Sequence, residues 1–392
     1  MARSRTFKFL LQVTNRQRVL LDQQRSLQRE LYNAALEERR GAWKWEHRSI
    51  SLFDQCRTLT GLREVRPEVL GFGVTVCRGT LKRLDRAFCA FYRRCRAGQK
   101  PGYPRFKGSG SFDSVQWEDT KGWKLDEGRG RLRIQGIGEI KVRLHRPIRG
   151  TPKAITIKGE GRRYWASIRC VEVPAEPLAD TGKAVGIDLG VMNLVATSDG
   201  QLIAGPRWAR RSAAKLAQRE RQLAHKVRGS KRRRRAQERV AATHRSIRNQ
   251  RLDSCHQLSR DLVNRYDVIV HEDLKITNMT RRPKPRPDGE GGFEHNGASA
   301  KAGLNRSIHD AGWGTLQAMI AYKAESAGRQ VVVVDPRNTS RRCARCGLVD
   351  EGNRRGAVFR CRGCGHEAHA DVNAAQNILR AGRARQLESV AA

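Results

Sequence analysis

Acidic side chains are scarce in this chain of 392 residues: 39 Asp+Glu stand against 78 Lys+Arg, a formal net charge of +39. Self-repulsion on that scale is costly unless a polyanion neutralises it. Long apolar runs are missing too. No stretch approaches the roughly 18 residues needed to cross a bilayer, and no secretory h-region is present. A membrane is therefore a poor partner, and nucleic acid is the better one, with phosphate contacts that give steep salt dependence. Charge alone would equally suit a basic ribosome-like or architectural protein. A disulfide framework is also absent. Six of the ten cysteines (Cys56, Cys77, Cys89, Cys95, Cys170, Cys255) are scattered, so a reducing cytoplasm is the expected compartment. Cys77 and Cys95 share a helical stripe with Leu81, Leu84, Phe88 and Phe91, and both read as small core hydrophobes.

What is present suggests two or three domains. RTFKFLLQVT (5 to 14) alternates as a half-buried strand, and residues 17 to 100 then turn helical in period. QKPGYPRFKGSGS breaks the helices. Short strands split by Gly turns follow up to about 173 and suggest a small barrel, which the first strand could complete around a helical insert. PAEPLADTGK (174 to 183) reads as a linker. AVGIDLGVMNLVATSDGQLIA reads as strand, turn, strand, and residues 207 to 266 as long helix carrying KRRRR. DVIVHEDL and QVVVVD are buried strands, separated by a Pro- and Gly-rich loop (281 to 303) and a helix (305 to 328). A helix from DVNAAQ closes the pattern, with an unstructured tail beyond 383.

Two pairs, CARC and CRGC, place Cys343, Cys346, Cys361 and Cys364 as two knuckles, each followed by Gly. Four thiolates close a tetrahedral zinc shell, so one Zn²⁺ there is structural and takes no part in the chemistry. His366 and His369 are left as surface or nucleic-acid contacts.

Three acids stand where charge is expensive: Asp188 at the end of VGID, Glu272 at the end of VIVHE, and Asp371 opening the last helix. Singly they read as a turn residue, a solvent contact and an N-cap. Together, on adjacent buried strands and a helix start, they suit two Mg²⁺ (or Mn²⁺) ions straddling a phosphodiester. Asp273 and Asp335 compete by position.

GIDLGVMNLVATSDG, HEDLKITNM, LNRSIHDAGWG, NTSRRCARCG and HADVNAAQNIL, in that order, with AGQKPGYPRFK upstream, resemble the TnpB (OrfB) proteins of insertion sequences and the related miniature type V CRISPR effectors. The resemblance implies a multidomain α/β plus β-barrel protein. Its parts are a wedge β-barrel (1–16 and 109–176), a helical recognition segment (17–108), and a RuvC-like, RNase H-fold nuclease domain (181–342 and 365–383). A target-nucleic-acid-binding zinc ribbon (343–364) and a tail (384–392) complete it. It also implies Asp188, Glu272 and Asp371 as catalytic metal ligands. The implied partners are a guide RNA, target double-stranded DNA and its displaced strand, next to a short duplex motif, with no membrane and no small-molecule substrate. The expected place of work is the prokaryotic cytoplasm, on the nucleoid when bound to DNA. The family's usual D-R-D is here His369-Ala370-Asp371, which keeps the second acid. Transposase-type strand transfer and an RNA-guided repressor with a dispensable triad are the competing functions. The basic helices after 207 fit a guide–target duplex read by shape, or a solvated face. The 281 to 303 loop fits a lid, or a simple connection. Tyr103, Trp117 and Trp123 fit base stacking or core packing equally.

Overall fold

A computed structural model of the chain describes residues 4–289 and 291–391. It contains two compact units, Met1–Pro174 and Ala175–Ala392. No helix among the described residues is long and apolar enough to cross a membrane.

In the first unit the alternation of Phe7, Phe9 and Leu11 buries all three side chains on one face of the strand Arg5–Gln12. That strand lies inside a seven-stranded antiparallel sheet, between Arg163–Val171 and Gly138–Arg143. The hydrogen-bonded order runs on to edges at Ser114–Trp117 and Trp123–Asp126, the latter a four-residue strand too short for its pattern to stand out in sequence. Between the first strand and the rest, the chain makes five helices, dominated by Asn15–Glu46 and Val74–Arg96. Thr14 and Gln17 form a reciprocal capping box that starts the first of these. Trp117 and Trp123 are buried in the core, so packing accounts for both; Tyr103 stays partly exposed, edge-on to Phe88 and Phe91. Cys77 is a core residue as expected, but Cys95 is exposed. By that last turn, Arg93, Arg94 and Arg96 have carried the helix out into solvent.

The second unit is built on a five-stranded sheet in the order Leu202–Ala204, Asn193–Thr197, Ala184–Asp188, Val268–Glu272, Gln330–Val334. The first three pair antiparallel and the last three parallel. Apolar runs without alternation, as in VGI and VIV, are what a strand covered on both faces requires. One face packs on the helices Lys231–Arg265 and Trp313–Ala327 through Leu262, Val263, Leu316 and Ile320. The other carries the helix Ala370–Ala391 through Ile378, against Val270, Val332 and Val334. Two glycines set how closely that helix lies. A Cβ at Gly186 would stand 2.1 Å from the Ala375 carbonyl oxygen, and one at Gly382 would stand 2.5 Å from Val270.

Several expected boundaries move. The 305 to 328 helix is two helices, Ala298–Ala311 and Trp313–Ala327, because Gly312 adopts φ +71. The basic helical stretch breaks into Trp208–Arg211, Ala213–Ala224 and Lys231–Arg265. The 174 to 183 stretch is no free linker: Thr181 and Gly182 donate backbone N–H groups to the Asp267 carboxylate, and Glu176 and Leu178 pair with the chain at 326 and 327. The last helix runs on to Ala391 where an unstructured tail was expected beyond 383, its seat on the sheet extending it.

Candidate active site and zinc ribbon

Parallel register places Val268 beside Ala184 and continues in step to His271 beside Ile187, so Asp188 and Glu272 end neighbouring strands at one level. The helix bearing Asp371 in its first turn packs on the same strand as Asp188. All three sequence-predicted acids therefore come together. Burial, then the charges of Glu272 and Asp371, push the Asp188 carboxyl up to about 7, and Arg354 opposes them only in part. Glu272, 9% exposed, is raised first by burial; the Thr339 hydroxyl opposes that and the nearby Asp335 charge adds to it. Thr339 Oγ1 donates to Glu272 Oε1 at 2.5 Å, while Gln317 Nε2 holds the Glu272 carbonyl at 3.1 Å. Asp371 accepts from Asn193 Nδ2 at 3.1 Å and from Arg354 Nη2 at 2.9 Å.

The two positional competitors separate from this group. Asp273 is exposed and paired with Lys275, and Asp335 is 62% exposed and paired with Arg337. Both look outward, although Asp335 is near enough to act on Glu272.

Cys343, Cys346, Cys361 and Cys364 place their sulfurs within 4.8 Å of one another, the one such group of metal-ligating side chains among the described residues. The Cys343–Cys364 and Cys346–Cys361 sulfur pairs stand 3.7 and 3.5 Å apart. A tetrahedron with Zn–S bonds of about 2.3 Å has edges of about 3.8 Å, so the four thiols fit zinc closely. Backbone N–H groups already point at sulfur, Arg345 N to Cys343 at 3.3 Å and Cys364 N to Cys361 at 3.5 Å.

The ribbon is wired into the acid cluster. Its small sheet, Arg354–Arg355, Val358–Arg360 and Glu367–His369, extends past Cys364 and ends where the Asp371 helix begins. The Ala370 N–H donates to the Ala357 carbonyl, and His369 Nδ1 accepts the Asp371 N–H at 3.2 Å, so His369 caps the helix start. Asn373 and Asn377, both buried, clamp the entry to the ribbon. Asn373 accepts the Ala344 N–H and donates to the Arg342 carbonyl; Asn377 donates to the Thr339 and Arg342 carbonyls.

Asn193, Gln317, Thr339 and Arg354 were not singled out from sequence. The motifs GVMN and NTSRRC hold Asn193 and Thr339, whereas Gln317 and Arg354 lie outside every motif named.

Comparison with known proteins is consistent with this geometry. Residues 168–282 match the family OrfB_IS605, described as "Probable transposase", and residues 313–378 match "Cas12f1-like, TNB domain". The chain is 34% identical over 306 residues to "Putative RNA-guided DNA endonuclease InsQ" of Escherichia coli (strain K12), covering 78% of this chain and 73% of the relative. It is 32% identical over 400 residues to "Putative RNA-guided DNA endonuclease" of Streptomyces pristinaespiralis, covering 97% and 90%. The solved "Cryo-EM structure of the Cas12f1-sgRNA-target DNA complex" aligns over 96% of this chain and 98% of that one, with TM-score 0.56 and 14% identity, a likeness of fold alone. On the strength of the two long relatives and the family match, the chain belongs to the OrfB (TnpB) family.

Proposed function

We propose that the chain is an RNA-guided DNA endonuclease that hydrolyses phosphodiesters with divalent ions held by Asp188, Glu272 and Asp371 on a RuvC-like, RNase H-type domain. One observation carries this reading: three carboxylates meet from two strand ends and a helix start, where burial first and the charges of Glu272 and Asp371 next raise Asp188 to about 7. So much uncompensated negative charge suits a structure that receives cations. The donors are hard oxygens, with no thiolate or imidazole among them, which favours Mg²⁺ or Mn²⁺. When bound, two such ions activate a water and stabilise the leaving oxygen.

The chain's own residues do the positioning. Asp188 feels both other acids and so sits centrally among the ligands. Thr339 fixes the rotamer of Glu272, and Asn193 that of Asp371. Arg354, paired with Asp371, brings a cation from the ribbon to the place where phosphate negative charge arrives. The zinc ribbon, with one structural Zn²⁺, fixes the start of the Asp371 helix and so holds the acids in register.

The surplus of basic side chains supports guide RNA, target duplex and displaced strand as partners, and the names of the long relatives point the same way. The first unit, with helices inserted into an antiparallel sheet, fits the wedge and recognition parts of this plan. A repressor with a dispensable triad would have no use for three acids held together and at least partly buried, nor for the Thr339 and Asn193 contacts that orient them.

The test is cleavage by protein purified with its co-expressed RNA. In Mg²⁺ it cuts DNA matching that RNA, and Asp188→Ala lowers the rate by at least about a thousandfold while the complex still binds the same DNA. Cutting that survives Asp188→Ala contradicts the site, and equal cutting without RNA contradicts guidance.

A further inference from the structure

A groove of 760 Å³ opens beside the acid cluster, within the range of about 300–1,000 Å³ that holds small ligands. Its wall begins at Gly190, two residues past Asp188, a separation of at most about 7 Å along the chain. The same loop carries Asn193, whose amide holds Asp371, and Trp313 Nε1 fixes it by donating to the Gly190 carbonyl at 3.1 Å. The groove is thus rigidly referenced to the carboxylates.

Its floor is apolar, from Val191, Leu194, Pro206 and Leu216, and its rim carries Arg207, Arg210 and Arg306. The one acid set into the wall, Asp310, is spoken for: it accepts the N–H groups of Ala209 and Arg210 and pairs with Arg251 at 3.0 Å. Glu220 is the remaining acid on the rim, half exposed and 4.0 Å from His244, so arginines outnumber it. Arg207 is held in left-handed backbone, φ 52, a conformation strained for any residue but glycine. Its guanidinium stands 3.3 Å from Met192 Sδ, and Met192 is itself 71% exposed.

An apolar slot ringed by guanidinium groups matches one chemistry above others: an unstacked nucleobase whose flanking phosphates stay at the rim. A peptide or a second copy of this chain would find the apolar floor but would gain little from the arginines. Resting on the nuclease reading above, we propose that this groove seats a base of the single DNA strand being cut, within roughly three nucleotides of the scissile phosphate, and so sets where along the strand the phosphate stops. The site acts on base stacking rather than base identity, because the floor that meets the base is apolar.

The RNA-loaded full chain tests this with a ladder of substrates, each carrying one abasic site in the cleaved strand. Loss of the base at one fixed position near the cut lowers the cleavage rate by about tenfold, the scale of one lost stacking contact, and other positions leave it unchanged. Ala217→Trp, at an exposed helix position lining the groove, fills the slot and flattens that profile without changing Mn²⁺ affinity. Arg306→Gln, also exposed, is the second variant and weakens the same dependence. A flat profile in the wild type, or a profile that Ala217→Trp leaves intact, overturns the proposal. If intact DNA is not cut at all, the nuclease reading fails separately. The groove is then read by the fluorescence of a single strand carrying 2-aminopurine: quenching by the wild type and not by Ala217→Trp supports it, and equal quenching by both overturns it.

Discussion

At the scale of single residues, the site depends on side chains that hold charge in place. Thr339 gives its hydroxyl proton to Glu272 from a buried position. Removing it while keeping its shape, in Thr339→Val, leaves that carboxylate free to turn and weakens Mn²⁺ binding by about 10-fold, as measured by calorimetry. Thr339→Ser restores most of the affinity; a valine variant with unchanged affinity contradicts the orienting role. Asp188 makes a second prediction. Its folded pKa, about 7, lies above the ordinary 3.8, so the native state binds this proton more tightly than the unfolded chain does. Metal-free stability therefore falls as pH rises from about 4 to about 7, by at most about 4 kcal/mol. Asp188→Asn cannot ionise, so in buffer free of Mg²⁺ and Mn²⁺ its melting temperature gains on the wild type across that window, and Mg²⁺ narrows the gap. A constant difference from pH 4 to pH 8 contradicts the burial of Asp188 and its crowding by the other acids. The cysteines stand out in the sequence because thiols at knuckle spacing point to a metal by themselves, whereas the acids stand out only when the three are taken together. Thr339, Asn193 and Arg354 do not, because a hydroxyl, an amide and one arginine among many gain their roles only from what the fold sets beside them.

At the scale of elements, the sheet was legible and several helix limits were not. Apolar runs such as VGI and VIV betray strands covered on both faces, and these strands end at Asp188 and Glu272. Helix limits depend on tertiary seating. Gly312 could have been tolerated inside one helix, but its positive φ divides two, and a Cβ there would press on Arg251 at 3.0 Å. The last helix continues to Ala391 although its final residues show no apolar stripe strong enough to announce it. Its approach to the sheet is set by Gly186, two residues before Asp188 on the same strand. Gly186→Ala would drive a methyl into the Ala375 backbone. The helix must then shift, carrying Asp371 away from Asp188, at a cost on the order of 1–3 kcal/mol. Thermal unfolding reports the loss, and Mn²⁺ affinity falls with it. A Gly186→Ala protein of wild-type stability and metal affinity would show that this contact does not position the acids.

At the scale of the molecule, a chain with formal charge +39 folds around a small acidic centre. The contrast is coherent with the proposed function, in which cationic surfaces gather phosphates and the acids gather the ions that act on one of them. Composition made the polyanion partner legible, and motif order made the family legible. The arrangement that joins ribbon to acids was not, since Asn373 and Asn377 reach carbonyls some 30 residues earlier that only the folded chain brings near. The most direct measurement is a crystal of the RNA-loaded protein soaked in Mn²⁺, with anomalous scattering used to locate the metal. The account predicts two peaks about 4 Å apart between Asp188, Glu272 and Asp371, absent in Asp188→Ala. Manganese bound elsewhere in crystals of a cleavage-competent complex, with none between these three side chains, would contradict it.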